Sequence, residues 1–146
     1  MPTFSRTTTT DWSGTIMEGG GQVKAGTGAF SLPVSFPRRI GDDGGVTSPE
    51  ELISAAHSVC YAMVIAGAMG KNNVKAKSHS VSCTITADKT DAGIKIITSK
   101  LTVVVEGLEG MDKDKFIAIA KEAEKGCPVS NALRNPVAVE VEVTVK

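Results

Sequence analysis

Three cysteines are the residues of this chain whose type and position could support redox or nucleophilic chemistry. Cys60 lies inside a long apolar stretch, and Cys127 directly precedes Pro128. Proline suits the first position of a helix, so Cys127 is predicted at the N-cap, where unpaired backbone N–H groups favour a thiolate. Cys83 belongs to an alternating apolar pattern and is interpreted as a small buried hydrophobic residue. Cys60 and Cys127 are therefore at special positions, although a cysteine in an apolar helix such as Cys60 is usually a packing residue.

A cation would have to activate Cys60, because burial in an apolar environment raises the pKa of a thiol. Arg38 and Arg39 are the candidates, and they begin a glycine-rich, charged segment. The alternative is that both arginines are solvated loop residues. Glu50 has a simple explanation as well, since a carboxylate is favourable near any helix N-terminus. The residue types alone leave the roles of Arg38, Arg39 and Glu50 open.

His57 precedes Cys60 by three residues, so the two side chains share one side of a helix. It could be the base of a cysteine hydrolase, although that reaction would leave Cys127 without a role. We prefer a hydrogen-bonded core histidine, because buried polar groups need partners. A zinc site made of His57, Cys60 and Cys127 is disfavoured, since the chain has no Cys-x-x-Cys pair.

The apolar stretch around Cys60 is predicted to be one long helix. Ser48 suits its N-cap, Pro49 its first position and Glu51 the partner position of a capping box. The stretch Leu52–Gly70 contains no Asp, Glu, Lys or Arg. A membrane span is a weaker interpretation, because the stretch contains polar residues and is barely long enough. We therefore predict a central helix that is buried on most sides.

The other segments mostly alternate apolar and polar residues, which is typical of strands. Strands are predicted at residues 30–36, 77–87, 94–106 and 137–145. Pro33 indicates an edge strand, and Arg38–Gly45 is predicted to be a loop. A further helix should begin after Asp112 and end at Gly126, just before the short helix that follows Cys127. This order predicts an α+β fold with mixed or antiparallel sheets.

The composition is that of a globular protein, with 41% hydrophobic and 22% charged residues. The 146 residues suit a single domain spanning 1–146. Sixteen basic and sixteen acidic residues give a formal net charge of zero, which argues against nucleic-acid or membrane partners. The N-terminal residues do not resemble a secretory signal. With an odd number of cysteines, we expect free thiols in the cytoplasm and no disulfide framework.

Two segments resemble the OsmC/Ohr family, which comprises osmotically inducible protein C and the organic hydroperoxide resistance proteins. They are Thr47-Ser-Pro-Glu-Glu-Leu-Ile-Ser-Ala-Ala-His-Ser-Val-Cys60 and Gly126-Cys-Pro-Val-Ser-Asn-Ala-Leu133. The Ala-Ala-His before Cys60 and the Cys-Pro-Val-Ser are more similar to the OsmC branch. The likeness extends over nearly the whole chain in element order. It implies an OsmC-like α+β fold, with the long helix buried at the centre of an intertwined homodimer.

The resemblance also implies a thiol peroxidase that reduces organic hydroperoxides. Cys60 corresponds to the peroxidatic thiol and Cys127 to the resolving thiol of the family. Glu50 corresponds to the residue that holds an arginine of the preceding loop, for which Arg39 is preferred over Arg38. An external dithiol, expected to be of the lipoyl type, serves as reductant, with no bound cofactor and no metal. The alternative is a non-catalytic binding or stress protein on the same fold.

Helix geometry bears on how such a site is assembled. Glu50 and Cys60 are ten residues apart, which is about 15 Å along a helix axis. A continuous helix keeps them apart within one chain, whereas two antiparallel helices around a twofold axis bring them together. We therefore expect Arg39 and Glu50 of one subunit to serve Cys60 of the other. This expectation agrees with the dimer that the resemblance implies.

Overall fold

The protein is described by a computed structural model that covers residues 2–41, 44–135 and 137–146. The chain divides into two compact units, Met1–Ile53 and Ser54–Lys146. The single domain spanning 1–146 stays a prediction.

The first unit contains a three-stranded antiparallel sheet. Its strands, in the order β1-β2-β3, are β1 Thr8–Ser13, β2 Gly20–Ala25 and β3 Ser31–Val34. The turn after β1 contains Gly14 at φ 87° and the turn after β2 contains Gly28 at φ 79°, a conformation that glycine adopts without strain. β3 is an edge strand, as Pro33 predicted, because proline has no N–H to give to a second neighbour.

A short helix, α1, occupies Phe36–Ile40. The prediction of a loop over Arg38–Gly45 is therefore wrong for its first three residues, while residues 42 and 43 lie outside the described residues. Pro37 lies in the first turn of α1, where a proline costs no backbone hydrogen bond. The helix ends at Gly41, which has an extended backbone. This turn of helix carries Arg39.

The long helix, α2, runs from Pro49 to Lys71, close to the predicted bounds. At its start, the hydroxyl of Ser48 accepts a hydrogen bond from the backbone N–H of Glu51 at 3.1 Å. The Glu51 carboxylate does not complete the capping box and instead accepts a hydrogen bond from the hydroxyl of Thr47 at 2.8 Å. One half of the predicted box is thus present, and it is sufficient to define where α2 begins.

Within the second unit, α2 buries one face. The buried side chains recur at helical spacing and are His57, Tyr61, Ile65, Ala68 and Met69. On another face Val59 and Met63 are 54% and 69% exposed. The prediction of a helix buried on most sides is therefore wrong for the single chain. By length and composition α2 could also cross a membrane, but the core helices of soluble proteins pass the same test.

The sheet of the second unit is a long antiparallel pair formed by β4, Ser78–Thr90, and β5, Gly93–Glu106. As predicted, alternate residues of β4 lie on one half-buried face, among them His79 and Cys83. The pairing shifts by one residue between Thr86 and Ala87, so β5 stays continuous through a bulge. The core beside this sheet consists of Tyr61, Ile65, Met69, Val74 and Phe116.

Two further helices follow in the predicted order. Helix α3 spans Lys113–Ala123, and the Asp112 carboxylate caps it by accepting a hydrogen bond from the N–H of Lys115. A 3₁₀ turn, Glu124–Gly126, leads to helix α4 at Pro128–Arg134. Cys127 is the N-cap of α4, as the following proline predicted.

The predicted final strand is absent, and residues 137–145 carry no strand assignment. Its alternate valines are strongly exposed, from 66% at Val137 to 90% at Val145. A strand depends on hydrogen bonds to a neighbouring strand, and none of the ladders among the described residues includes this segment. The sequence pattern therefore predicted a strand for which the described part of the chain shows no partner strand.

Candidate active site

The structure brings the two predicted reactive cysteines together. Cys60 lies on α2 and is half-buried, whereas Cys127 at the N-cap of α4 is fully buried. Their Sγ atoms are 3.2 Å apart, and both are free thiols. A disulfide has an S–S length of about 2.05 Å, so a small movement is enough to join them. That they form a disulfide stays a prediction.

The two thiols differ in acidity within the single chain. Burial raises the pKa of Cys60, and its interaction with Cys127 raises it further, against an opposing hydrogen bond from the backbone of Val129. Burial acts in the same direction on Cys127, but hydrogen bonds from Ser130 and from Cys60 outweigh it and lower the pKa of Cys127. Within the second unit, the surroundings of the two thiols therefore favour ionisation of Cys127 over that of Cys60.

Arg39 and Glu50 form a bidentate ion pair in the first unit. Arg39 Nη2 donates to Glu50 Oε1 at 2.6 Å, and Arg39 Nε lies 3.1 and 3.0 Å from Oε1 and Oε2. The side chains are 27% and 16% exposed. The hydrogen bond to Arg39 lowers the pKa of Glu50, and the same bond raises the pKa of Arg39. The pair fixes a guanidinium in one orientation, and its part in any chemistry stays a prediction.

Replacing Glu50 by glutamine is expected to lower the free energy of unfolding by about 1–2 kcal/mol near neutral pH, because a charge-assisted bidentate contact is lost. The pKa of folded Glu50 lies below its ordinary value of 4.5. The contribution is thus complete above that value and is lost as the pH falls through the folded-state pKa. Denaturant titrations near pH 7 and near pH 3 measure it. Glu18→Gln, the same change at an exposed position, is the control, and an equal effect of both variants would contradict the prediction.

His57 is a buried histidine with a hydrogen-bond partner on each ring nitrogen. Nδ1 lies 2.6 Å from the hydroxyl of Ser99 on β5, and Nε2 lies 2.6 Å from the hydroxyl of Ser130 on α4. Burial lowers the pKa of His57 and favours the neutral ring. The interpretation as a hydrogen-bonded core histidine is confirmed. Among the described residues, no group of three or more His, Cys, Asp or Glu side chains is arranged to hold a metal ion.

Cys83 has more polar surroundings than its alternating pattern predicted. It is half-buried, and its Sγ lies 3.2 Å from Ser99 Oγ and 3.8 Å from His57 Nδ1. The prediction of a buried hydrophobic residue is therefore wrong as to its surroundings, which are polar on one side. A strand pattern reports which face a residue lies on, but it does not report which side chains of α2 and β5 meet that face.

Comparison with known proteins assigns the chain to a class and then to a family. The protein has an α+β fold in which a cysteine of a long helix lies beside a cysteine at the N-cap of a short helix, so it belongs to the class of proteins with two adjacent thiols. Residues 41–142 match the family described as OsmC-like protein. The chain is 32% identical over 133 residues to peroxiredoxin OsmC of Escherichia coli, covering 90% of this chain and 92% of that protein. The chain belongs to the OsmC-like family, as the two cysteine segments predicted.

Other relatives extend the comparison. The chain is 29% identical to organic hydroperoxide resistance protein-like 2 of Staphylococcus epidermidis, over 90% of this chain and 93% of that one. Among solved structures, an organic hydroperoxide resistance protein OsmC from Legionella pneumophila has a TM-score of 0.72 at 24% identity, covering 99% of this chain and all of that one. OhrB of Bacillus subtilis has a TM-score of 0.66 at 22% identity, with 97% and 98% covered. The predicted α+β, OsmC-like fold with antiparallel sheets and a long central helix is confirmed.

Proposed function

We propose that this chain is a thiol-dependent peroxidase that reduces organic hydroperoxides to alcohols. The main support is the distance of 3.2 Å between the sulfur atoms of a half-exposed Cys60 and a buried Cys127. Cys60 is accessible to a substrate, and Cys127 is close enough to Cys60 to react with it afterwards. Relatives named peroxiredoxin and organic hydroperoxide resistance protein support a peroxidase-type stress function.

The reaction takes place in two steps. The thiolate of Cys60 attacks the terminal oxygen of the hydroperoxide, the O–O bond breaks, and the alkoxide takes a proton and leaves as alcohol. Cys60 is then a sulfenic acid. The thiolate of Cys127 attacks its sulfur, the S–O bond breaks, and hydroxide leaves as water after taking a proton. The product is a Cys60–Cys127 disulfide.

An external dithiol, proposed to be of the lipoyl type, returns the disulfide to two thiols by exchange. Exposure decides where the exchange begins, because Cys60 is half-exposed and Cys127 is fully buried. The incoming thiolate therefore attacks Cys60, and Cys127 is the leaving group. The hydrogen bonds that lower the pKa of Cys127 suit this role, since a more acidic thiol leaves faster. A reducing cytoplasm would supply such a dithiol.

A homodimer is part of the proposal, and two exposed surfaces of the chain support it. The first is the apolar stripe on α2 that includes Val59 and Met63. The second is the alternating valine segment at residues 137–145, which has the pattern of a strand and no ladder among the described residues. A second copy of the chain could cover the stripe and pair with the segment, because a twofold presents each surface to its equivalent.

The same dimer would supply the cation that Cys60 lacks. α2 is continuous through Glu50 and Cys60, and ten residues of helix rise about 15 Å. Arg39 is held by Glu50, so we propose that this pair acts on the Cys60 of the partner chain. The guanidinium would lower the pKa of Cys60 and orient the hydroperoxide. This step would reverse the order of thiol acidity found in the isolated chain.

Organic hydroperoxides are expected to be better substrates than hydrogen peroxide. On α2, the exposed apolar residues Val59 and Met63 lie one position before and three positions after Cys60, where they can cover an alkyl tail. Each buried methylene contributes about 0.8 kcal/mol, so two of them already give about tenfold in kcat/KM. A steady-state assay with a dithiol compares cumene hydroperoxide with hydrogen peroxide. Equal efficiency would contradict an apolar substrate site, and no consumption of either peroxide would favour a non-catalytic binding protein.

A further inference from the structure

We infer that His57 and Ser130 form a positioning pair that holds Cys127 as the attacking thiolate of the disulfide-forming step. The inference rests on the proposed function and adds to it a role for two residues outside the reacting sulfurs. The pair would act on the second step and leave the attack of Cys60 on the peroxide unchanged.

The contacts form a continuous buried chain. The backbone N–H of Ser130 donates to Cys127 Sγ at 3.5 Å, and the Ser130 hydroxyl lies 2.6 Å from His57 Nε2. All three side chains are buried. Cys127 Sγ in turn lies 3.2 Å from Cys60 Sγ. The ring of His57 thus fixes the residue that donates to the resolving sulfur.

The hydrogen-bonding capacity of the ring supports this arrangement. A neutral imidazole has one donor and one acceptor nitrogen. When Ser99 donates to Nδ1, Nε2 carries the proton and donates to the Ser130 hydroxyl oxygen. The Ser130 hydroxyl can then donate to Cys127 or to the Glu124 carboxylate, and hydrogen bonds from Ser130 are among the causes that lower the pKa of both groups. Ser99 sets the tautomer, and His57 sets the orientation of Ser130.

The charged and titratable groups around the ring come from several elements. Burial has the largest effect and lowers the pKa of His57. Glu124, before α4, raises this pKa, and Arg134, at the end of α4, lowers it. Glu124 and Arg134 are themselves an ion pair. Cys83 on β4 lies 3.8 Å from Nδ1, and Cys60 is on the same helix as the ring. Because its pKa is lowered, the ring is neutral near pH 7. It therefore acts as a hydrogen-bond partner and not as a general acid.

A pair of amide substitutions separates the two contacts of the ring. The amide of glutamine reaches the position of Nε2, and that of asparagine reaches the position of Nδ1. His57→Gln can therefore keep the contact to Ser130, whereas His57→Asn can keep only the contact to Ser99. A structural need for any polar residue would make the two variants equivalent. A positioning role makes glutamine the better replacement.

The experiment follows a single turnover after one equivalent of cumene hydroperoxide, with mass spectrometry of quenched samples. In His57→Asn, formation of the Cys60 sulfenic acid should keep its rate, while formation of the disulfide should slow by about tenfold or more, as the loss of one hydrogen bond to a charged group predicts. The pH midpoint of disulfide formation should rise in this variant, because the thiolate of Cys127 is less stabilised. His57→Gln should remain within about threefold of the original rate.

His79→Gln is the matched control, since it is the same change at the other histidine, which contacts the carbonyl of Ala62. It should leave both steps unchanged. Ser130→Ala should slow the disulfide step as His57→Asn does. If folded His57→Asn forms the disulfide at the original rate and pH midpoint, the inference is overturned. If the unmodified protein forms no Cys60–Cys127 disulfide at all, the proposed function itself fails.

Discussion

Replacing Cys60 by serine is expected to abolish peroxide turnover. A serine hydroxyl is not ionised near neutral pH and cannot attack the O–O bond as a thiolate does. The substitution removes a single sulfur from a half-buried position, so the fold should persist. Consumption of cumene hydroperoxide with a dithiol should fall to the level of buffer alone. Substantial turnover by this variant would exclude Cys60 as the peroxidatic residue.

The other two cysteines provide matched controls for this experiment. Cys83→Ser should keep most of the activity, because no step of the proposed reaction passes through that thiol. Cys127→Ser should stop after the first step, with the sulfenic acid of Cys60 accumulating and becoming prone to over-oxidation. Peptide mapping after one equivalent of peroxide distinguishes the three thiols. A disulfide that contained Cys83 would contradict the assignment of Cys60 as peroxidatic and Cys127 as resolving thiol.

The parts of the fold that depend on local chemistry could be predicted from the sequence. Ser48 and Pro49 define the start of α2, and Asp112 caps α3 through its own side chain. Pro128 places Cys127 at the N-cap of α4 in the same way. Each signal lies within a few residues of the element that it controls, so a single sequence contains it. The position of the two cysteines on their helices was therefore accessible.

The contacts that complete the candidate site were not accessible in this way. Ser99 and Ser130 are 42 and 73 residues from His57, yet both contact its ring. Nothing in the local sequence around these two serines predicts a hydrogen bond to the His57 ring. The only available signal was the spacing of Ser130, three residues after Cys127, which is one helical turn. The sequence predicted that His57 needs partners, and the packing of β5 and α4 on α2 determines which ones.

The acidity of the thiols also depends on more than the chain itself. Burial raises the pKa of Cys60, which is the effect expected for a thiol on an apolar helix. Arg39, the predicted activating cation, is bound to Glu50 within the first unit. The exposed valines of residues 137–145 are a second feature that the single chain does not explain. Both observations favour a second copy of the chain as the missing component.

Mixing two inactive variants is expected to restore activity if the site is shared between subunits. One chain carries Cys60→Ser and the other carries Arg39→Ala. In a heterodimer with a shared site, one site carries both lesions and the other carries neither, so about half of the original activity per heterodimer should return. Subunit exchange followed by the peroxide assay measures the recovery, and native mass spectrometry measures the fraction of heterodimers.

A second mixture serves as the control because Cys60 and Cys127 lie side by side in one chain. Cys60→Ser mixed with Cys127→Ser should not recover disulfide-dependent turnover, since each chain supplies both thiols of its own site. The test compares the activity recovered by the two mixtures, because both depend equally on subunit exchange and on correct folding. If the Arg39→Ala mixture stays inactive while heterodimers are present, the arginine acts within its own chain or not at all. An arginine that acts on Cys60 of its own chain while bound to Glu50 would require α2 to bend or break between Glu50 and Cys60, since a continuous helix holds them about 15 Å apart.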